Sequence, residues 1–253
     1  MTSEKKVALV TAAAGAGIGA ATARQLAFDG FDVVITDAHE KRCVEFGQKL
    51  TREFDCEFLT LTLDVTDWDQ VQKVMNRVKN EKGRLDILVN NAGWSRIEPV
   101  AEMARETWLK CIDVDLNGTF NCMRHALPIM QENRSGAIIN ISSIAAWETN
   151  REHGAAYSAA KSAIHALTRV TAAENGKHGI RVNAVAPGLI YNDFLRKIYP
   201  TDFFEGYIEN KSLLNRVGEP QDIANIVSFL VSDKAGYVTG EVYGVSGGVC
   251  PGG

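Results

Sequence analysis

No apolar run in the 253-residue chain approaches the roughly 20 residues that a membrane-spanning helix requires. Net charge is also small. The 27 lysines and arginines face 31 aspartates and glutamates, a balance of −4 that offers no basic surface to nucleic acid or an anionic membrane. Cysteine is sparse and scattered. Cys43, Cys56, Cys111, Cys122 and Cys250 are odd in number and form no Cys-x-x-Cys, which argues against a disulfide framework and for reduced thiols, mostly in the core of a cytoplasmic protein. The five histidines show no metal-ligand spacing, so no metal is expected. Residues 1–6 are short and polar and lead straight into a strand, which predicts no signal peptide. Repeats, low-complexity tracts and Pro/Gly/Ser linkers are missing too. The length suits one α/β domain over 1–253, long enough to bury a core without cross-links.

What the chain does contain is alternation. Val7–Thr11 is a short apolar run of the kind buried on both faces of a parallel sheet. A glycine loop follows, Ala12 to Gly19, then an alanine-rich helix to Asp29 and a second strand, Asp32–Asp37. Strand, glycine loop, helix and strand in about 30 residues is a βαβ unit. Further strands are predicted at Phe58–Leu63, Leu85–Val89, Ala137–Ile141, Ile180–Val185 and Glu241–Val245. Helices fall between them: Trp68–Asn80, capped by Thr66 or Asp67; roughly Trp108–Met130; one running to about Asn175; and one starting near Pro220. The pattern implies a doubly wound Rossmann fold, a parallel seven-stranded sheet with helices on both faces. Residues 189–217 read as an irregular, aromatic-rich insertion.

The chemistry-bearing residues share one edge of that sheet. The glycine loop, Asp37, Asp64, Asn91, Ser143 and Pro187 all follow strand C-termini, where open α/β sheets bind ligands. Gly15, Gly17, Ile18 and Gly19 would let backbone amides and a helix N-terminus approach a pyrophosphate. Asp37, 18 residues after Gly19, stands where a carboxylate would accept the adenosine ribose hydroxyls. It would also repel a 2′-phosphate, which argues for NAD over NADP; Lys41 and Arg42 lie near enough to soften this, or are simply a solvated helix start. Tyr157 and Lys161, four apart, lie on one helix face. A lysine ammonium beside a phenol favours the phenolate and is expected to lower its pKa, giving a proton donor and acceptor near neutrality.

Taken together, the glycine loop of residues 11–19, Asp64-Val65, Asn90-Asn91-Ala92-Gly93, Asn117, Ser143, Tyr157-x-x-x-Lys161 and Pro187-Gly188 resemble the short-chain dehydrogenases/reductases over essentially the whole chain. The resemblance implies a catalytic tetrad of Asn117, Ser143, Tyr157 and Lys161. Ser143 is preferred to Ser142 because it precedes Tyr157 by 14 residues rather than 15. It also implies a cofactor site of Gly15, Gly17, Ile18, Gly19, Asp37, Asp64, Val65, Asn91, Ala92, Gly93, Tyr157, Lys161, Pro187, Gly188 and Ile190. Asn117 would anchor a water behind Lys161. The sequence departs from the family at Thr11-Ala12, where Thr-Gly is usual, and after Gly188, where only Asn192 is available to contact a nicotinamide amide.

The implied activity is interconversion of a secondary alcohol and a ketone with NAD(H). A fainter resemblance, to bacterial enzymes of 3-oxoacyl and hydroxyacyl thioesters and of steroid-ring breakdown, points to a bulky, cyclic or acyl-thioester substrate. The alternatives are an NADP(H)-dependent 3-oxoacyl thioester reductase and an inactive dinucleotide-binding module. Leu189, Ile190, Tyr191, Phe194, Leu195, Ile198, Tyr199, Phe203, Phe204 and Tyr207, with Trp94 and Trp147 at the rim, would line an apolar pocket or pack a lid. A homotetramer is expected from the family's habit of pairing its long helices.

Overall fold

The computed structural model describes residues 5–148, 153–192, 195 and 200–251. Seven strands form one sheet: β1 (Val7–Val10), β2 (Asp32–Asp37), β3 (Thr60–Thr62), β4 (Ile87–Asn90), β5 (Gly136–Ile141), β6 (Ile180–Pro187) and β7 (Val242–Val245). Their order is β3-β2-β1-β4-β5-β6-β7 and each neighbouring pair is parallel. The chain winds outward one way from β1 to β3, then returns to β4 on the other side of β1. The crevice between β1 and β4 is therefore the switch point at which such sheets take ligands.

Period-two alternation divides the core between two faces. Along β1, Val7 and Leu9 join a cluster with Val71, Met75 and Met123, whereas Ala8 and Val10 join one with Leu26, Leu50 and Val227. The first face is covered by α3 (Trp68–Lys82), α5 (Gly118–Asn133) and α6 (Ala155–Asn175), the second by α1 (Ile18–Phe28), α2 (Glu40–Phe54) and α8 (Pro220–Val231). Asp67 caps α3, its carboxylate accepting from Gln70 N at 2.9 Å.

Two segments differ from expectation. The insertion is not irregular throughout, since Thr201–Asn210 is helical (α7), entered from Pro200 with Asp202 in its first turn. The long helix expected at 108–130 starts earlier, as α4 (Arg105–Ile112), and continues into α5 through one π-helical turn, Asp113–Asn117. Among the described residues no helix is long and apolar enough to cross a membrane, no cluster of three metal-ligating side chains occurs, and the five cysteines are free.

Candidate active site

The loop between β1 and α1 has the form of a dinucleotide cradle. Gly17 precedes α1 without a side-chain cap, and the first helical turn carries no acidic residue, so its N–H groups stay open to an anion. The loop is fastened from below. Asn91 Nδ2 donates to the carbonyls of Thr11 (3.0 Å) and Ala12 (3.1 Å), and the Asn91 and Ala92 amides donate to Thr11 Oγ1 at 2.8 and 3.0 Å. A Cβ on Gly19 would overlap the Asn91 amide and lie 2.5 Å from Ala12 O, so only glycine lets these two loops meet. At Gly17 nothing approaches within 4 Å, which leaves the space a pyrophosphate needs. Ala12 itself takes φ +50°, a left-handed conformation that costs a residue with a Cβ roughly 1 kcal/mol or more.

Asp37 ends β2 at the edge of this cradle. One carboxylate oxygen accepts from Ala14 N at 3.2 Å, the other from His39 N at 2.9 Å, and Arg42 contacts the latter at 3.3 Å. Burial pushes its pKa up against the Ala14 hydrogen bond and the Arg42 charge, which pull it down. Lys41 is turned away, toward Glu45 at 3.9 Å. Asp64 and Val65 follow β3, next to Asp37's strand. The Asp64 carboxylate is exposed and bonds Thr66 N and Oγ1, at 2.9 and 2.8 Å, while Val65 is buried with its carbonyl held by Asn121 at 3.0 Å. Neither lines the cavity over the far strands.

At the opposite end, a cavity of about 450 Å³ opens over the C-termini of β4, β5 and β6. Ile18, Asn91, Gly93, Ser143, Tyr157, Lys161, Pro187, Gly188 and Ile190 all line it. The Ser143 hydroxyl faces the same cavity as the Tyr157 phenol, where its interaction favours the phenolate, and it accepts from Ala145 N at 3.1 Å. Ser142 also borders the cavity but is turned inward, its Oγ 2.7 Å from His165 Nε2 and 3.1 Å from Lys161 O. Lys161 is buried, donates to Ile141 O at 2.9 Å, and holds its ammonium 5.3 Å from the Tyr157 ring centre.

Asn117 does not join this cluster. It lies on the exposed face of the π-turn, with Nδ2 on Asp113 Oδ1 at 2.7 Å. The side chain beside Lys161 is Asp115, two residues earlier, with its Oδ1 at 3.0 Å from Lys161 Nζ. Burial works to discharge Lys161, but Tyr157 and Asp115 together outweigh it and hold the ammonium above the ordinary lysine value. Tyr157 departs from expectation. Dense packing pushes its phenol above the usual 10.0; Lys161 opposes this, and Asp115 adds to the push.

The rest of the cavity wall is mostly apolar: Trp94, Ile97, Leu189, Leu195, Phe203 and Tyr207. Tyr191 packs edge-on to Phe204 at 5.7 Å, and Trp147 packs on His165 at 4.9 Å. Phe194, Ile198 and Tyr199 lie outside the described residues. Asn192 reaches the wall but spends its side-chain oxygen on Leu195 N at 2.9 Å. A polar pair that the sequence did not suggest, Glu148 and His153 at 3.0 Å, also faces the cavity.

The family model described as enoyl-(acyl carrier protein) reductase matches residues 12–250. The chain belongs to the short-chain dehydrogenase/reductase family. Among relatives in this family, a reductase from Mycobacterium tuberculosis named for (5R,7aS)-5-hydroxy-7a-methyl-1-oxo-2,3,5,6,7,7a-hexahydro-1H-indene-carboxyl-CoA is 38% identical over 242 residues, 95% of this chain and 92% of that one. The 3-oxoacyl-[acyl-carrier-protein] reductase FabG of Staphylococcus aureus is 39% identical over 248 residues, 96% of this chain and 98% of its own. The crystal structure of gox2181 superposes with a TM-score of 0.92 at 34% identity, covering 97% of this chain and 96% of that one. As a short-chain dehydrogenase/reductase the chain is an NAD(P)-dependent enzyme acting between CH–OH and C=O. The uncapped α1 N-terminus, the space at Gly17 and the Gly19–Asn91 contact fit that dinucleotide.

Proposed function

We propose that the protein interconverts a secondary alcohol and a ketone on a bulky, cyclic or acyl-thioester substrate, with NAD(H) as cofactor. The observation that carries this reading is the convergence of Ser143 and Tyr157, backed by Lys161, on the wall of a largely apolar cavity. The nicotinamide, when bound, gives or takes the hydride. Gly93, Pro187, Gly188 and Ile190 would flank it, and Lys161 would reach its ribose. In reduction, the Tyr157 phenol gives its proton to the ketone oxygen and the Ser143 hydroxyl stabilises the charge developing there. In oxidation, Tyr157 as phenolate takes the alcohol proton.

Two relatives are named for CoA-linked and acyl-carrier-protein-linked substrates, one of them bicyclic. Both names, with the aromatic wall, support a carrier-bound or ring ketone. Asp37 supports NAD(H). A second reading, NADP(H), rests on Arg42, whose half-exposed side chain stands 3.3 Å from Asp37 and could turn to a 2′-phosphate. Exposed Trp108, Leu109, Phe120 and Val170 on α4, α5 and α6 support assembly through these helices into a homotetramer. The test of function is turnover of bicyclic ketones and 3-oxoacyl thioesters with NADH and NADPH, followed at the nicotinamide absorbance. Tight NADH binding without turnover of any ketone would favour an inactive binding module instead. Light scattering at micromolar concentration checks the assembly, and a monomer mass would rule it out.

A further inference from the structure

We infer that Asp115 is a positioning residue that fixes Lys161 and, through it, keeps Tyr157 protonated at neutral pH, poising the site to donate a proton to a ketone. The inference rests on the reading of Tyr157 as the acid–base group.

Asp115 is fully buried. One carboxylate oxygen accepts from Trp94 N at 2.9 Å, with the Cys111 thiol at 3.8 Å; the other stands 3.0 Å from Lys161 Nζ. Several features of the chain bring it there. The π-turn at Asp113–Asn117 presents its carboxylate inward, and Thr119 Oγ1 secures its carbonyl at 2.8 Å. Gly93 leaves room for it, since a Cβ at that position would lie 2.9 Å from Asp115 Oδ1. A buried carboxylate is tolerated only with a partner of opposite charge, and the partner here is the lysine behind the tyrosine.

The pairing changes what that lysine can do. A lone ammonium close to a phenol stabilises the phenolate strongly, because ionisation takes the pair from +1 to neutral. With Asp115 attached, ionisation takes the trio from neutral to −1, which costs more in a poorly solvated site. The other groups facing Tyr157 and Lys161 do not replace this charge. The Cys111 thiol is pushed by burial up to about 12 and stays neutral. His165, farther along α6, is pushed by burial down to about 4 and faces Ser142. Glu148 and His153 pair with each other at the cavity wall.

The test is spectrophotometric titration of the Tyr157 phenolate in wild type and Asp115→Asn, each corrected by its own Tyr157→Phe counterpart. The midpoint should fall by about one pH unit or more in Asp115→Asn. The pH of half-maximal kcat/KM for alcohol oxidation should fall with it. Asp115→Glu, which keeps the charge, should stay near wild type. An unchanged or raised midpoint in Asp115→Asn, or a fall in Asp115→Glu equal to that in Asp115→Asn, overturns the inference. A merely structural role would lower rates without moving either midpoint. If Asp115→Asn does not fold, Asp115→Ser serves as the neutral variant; if neither folds, the midpoint of Asp115→Glu decides, and its displacement from wild type overturns the inference. The titration needs no turnover, so a wild type inactive on every ketone would refute the proposed function while this inference is still judged on the phenolate.

Discussion

Replacing Asp37 by asparagine should shift cofactor use from NADH toward NADPH without unseating the cradle. The side chain is 8% exposed, so a 2′-phosphate entering beside it would meet a poorly screened negative charge. Two unit charges about 4 Å apart repel by ~1 kcal/mol in bulk water and ~4 kcal/mol near a protein surface. Arg42, at 3.3 Å from the carboxylate, already offsets part of this charge. The lower part of the range therefore applies, about 1–2 kcal/mol, or roughly five- to thirty-fold in the ratio of kcat/KM values. Asparagine is a better choice than alanine because its amide oxygen still accepts one of the two backbone N–H bonds, from Ala14 or His39, that Asp37 now holds. The assay is kcat/KM for both cofactors in both proteins at one fixed ionic strength, since the effect is electrostatic. Adding Arg42→Ala to the Asp37→Asn variant should take back much of the gain with NADPH. A wild type that already prefers NADPH, or a ratio that moves less than two-fold, would refute the reasoning.

Three further outcomes follow from the site and its supports. Ser143→Ala should lower kcat about 100- to 1,000-fold, as loss of a donor to a developing oxyanion does, and Ser142→Ala much less; the reverse order in steady-state kinetics would reassign the role to Ser142. His165 is held neutral by burial, with its pKa lowered from 6.5 to about 4, so the unfolded chain binds a proton first as pH falls; folding should lose about 2 kcal/mol between pH 7 and pH 5 from this group alone. Urea unfolding of wild type and His165→Asn at both pH values checks this, and equal pH slopes would contradict it. Ala12→Gly removes a left-handed alanine and should stabilise the fold by about 1 kcal/mol, some 2–4 °C in Tm; a lower Tm on thermal unfolding would show that the φ of +50° costs this chain little.

Much of this architecture was legible because parallel strands buried on both faces are continuous apolar runs, and β1, β4 and β5 are of that kind. The ligand edge followed from which residues come after those strands, and Asn91, Ser143, Tyr157 and Lys161 do meet or border one cavity. Asn117 and Asp115 show where that logic stops. Asn117 was implied by the resemblance, and a motif does not say which face of the π-turn turns inward; here Asp115 is buried beside Lys161 and Asn117 is exposed. The Tyr157–Lys161 spacing suggested a lowered phenol pKa, but the net direction depends on packing and on Asp115, neither of which the motif contains. Helix α7 had a readable start in Pro200 and Asp202, masked by the aromatic residues around it. Glu148 and His153 meet at 3.0 Å on the cavity wall, a pairing that no periodicity announces.

The π-turn at Asp113–Asn117 makes this helix sensitive to chain length as well as to chemistry. It holds one residue more than an α-helical turn, so deleting a single residue such as Leu116 would let the segment relax into regular helix at little backbone cost. The same deletion would keep the flanking helices nearly in register but remove the wide turn that presents Asp115 inward, and so draw its carboxylate away from Lys161. An in-frame loss of one codon, harmless in many surface helices, should here give a protein that keeps its far-ultraviolet circular dichroism and binds dinucleotide but no longer holds a carboxylate against Lys161.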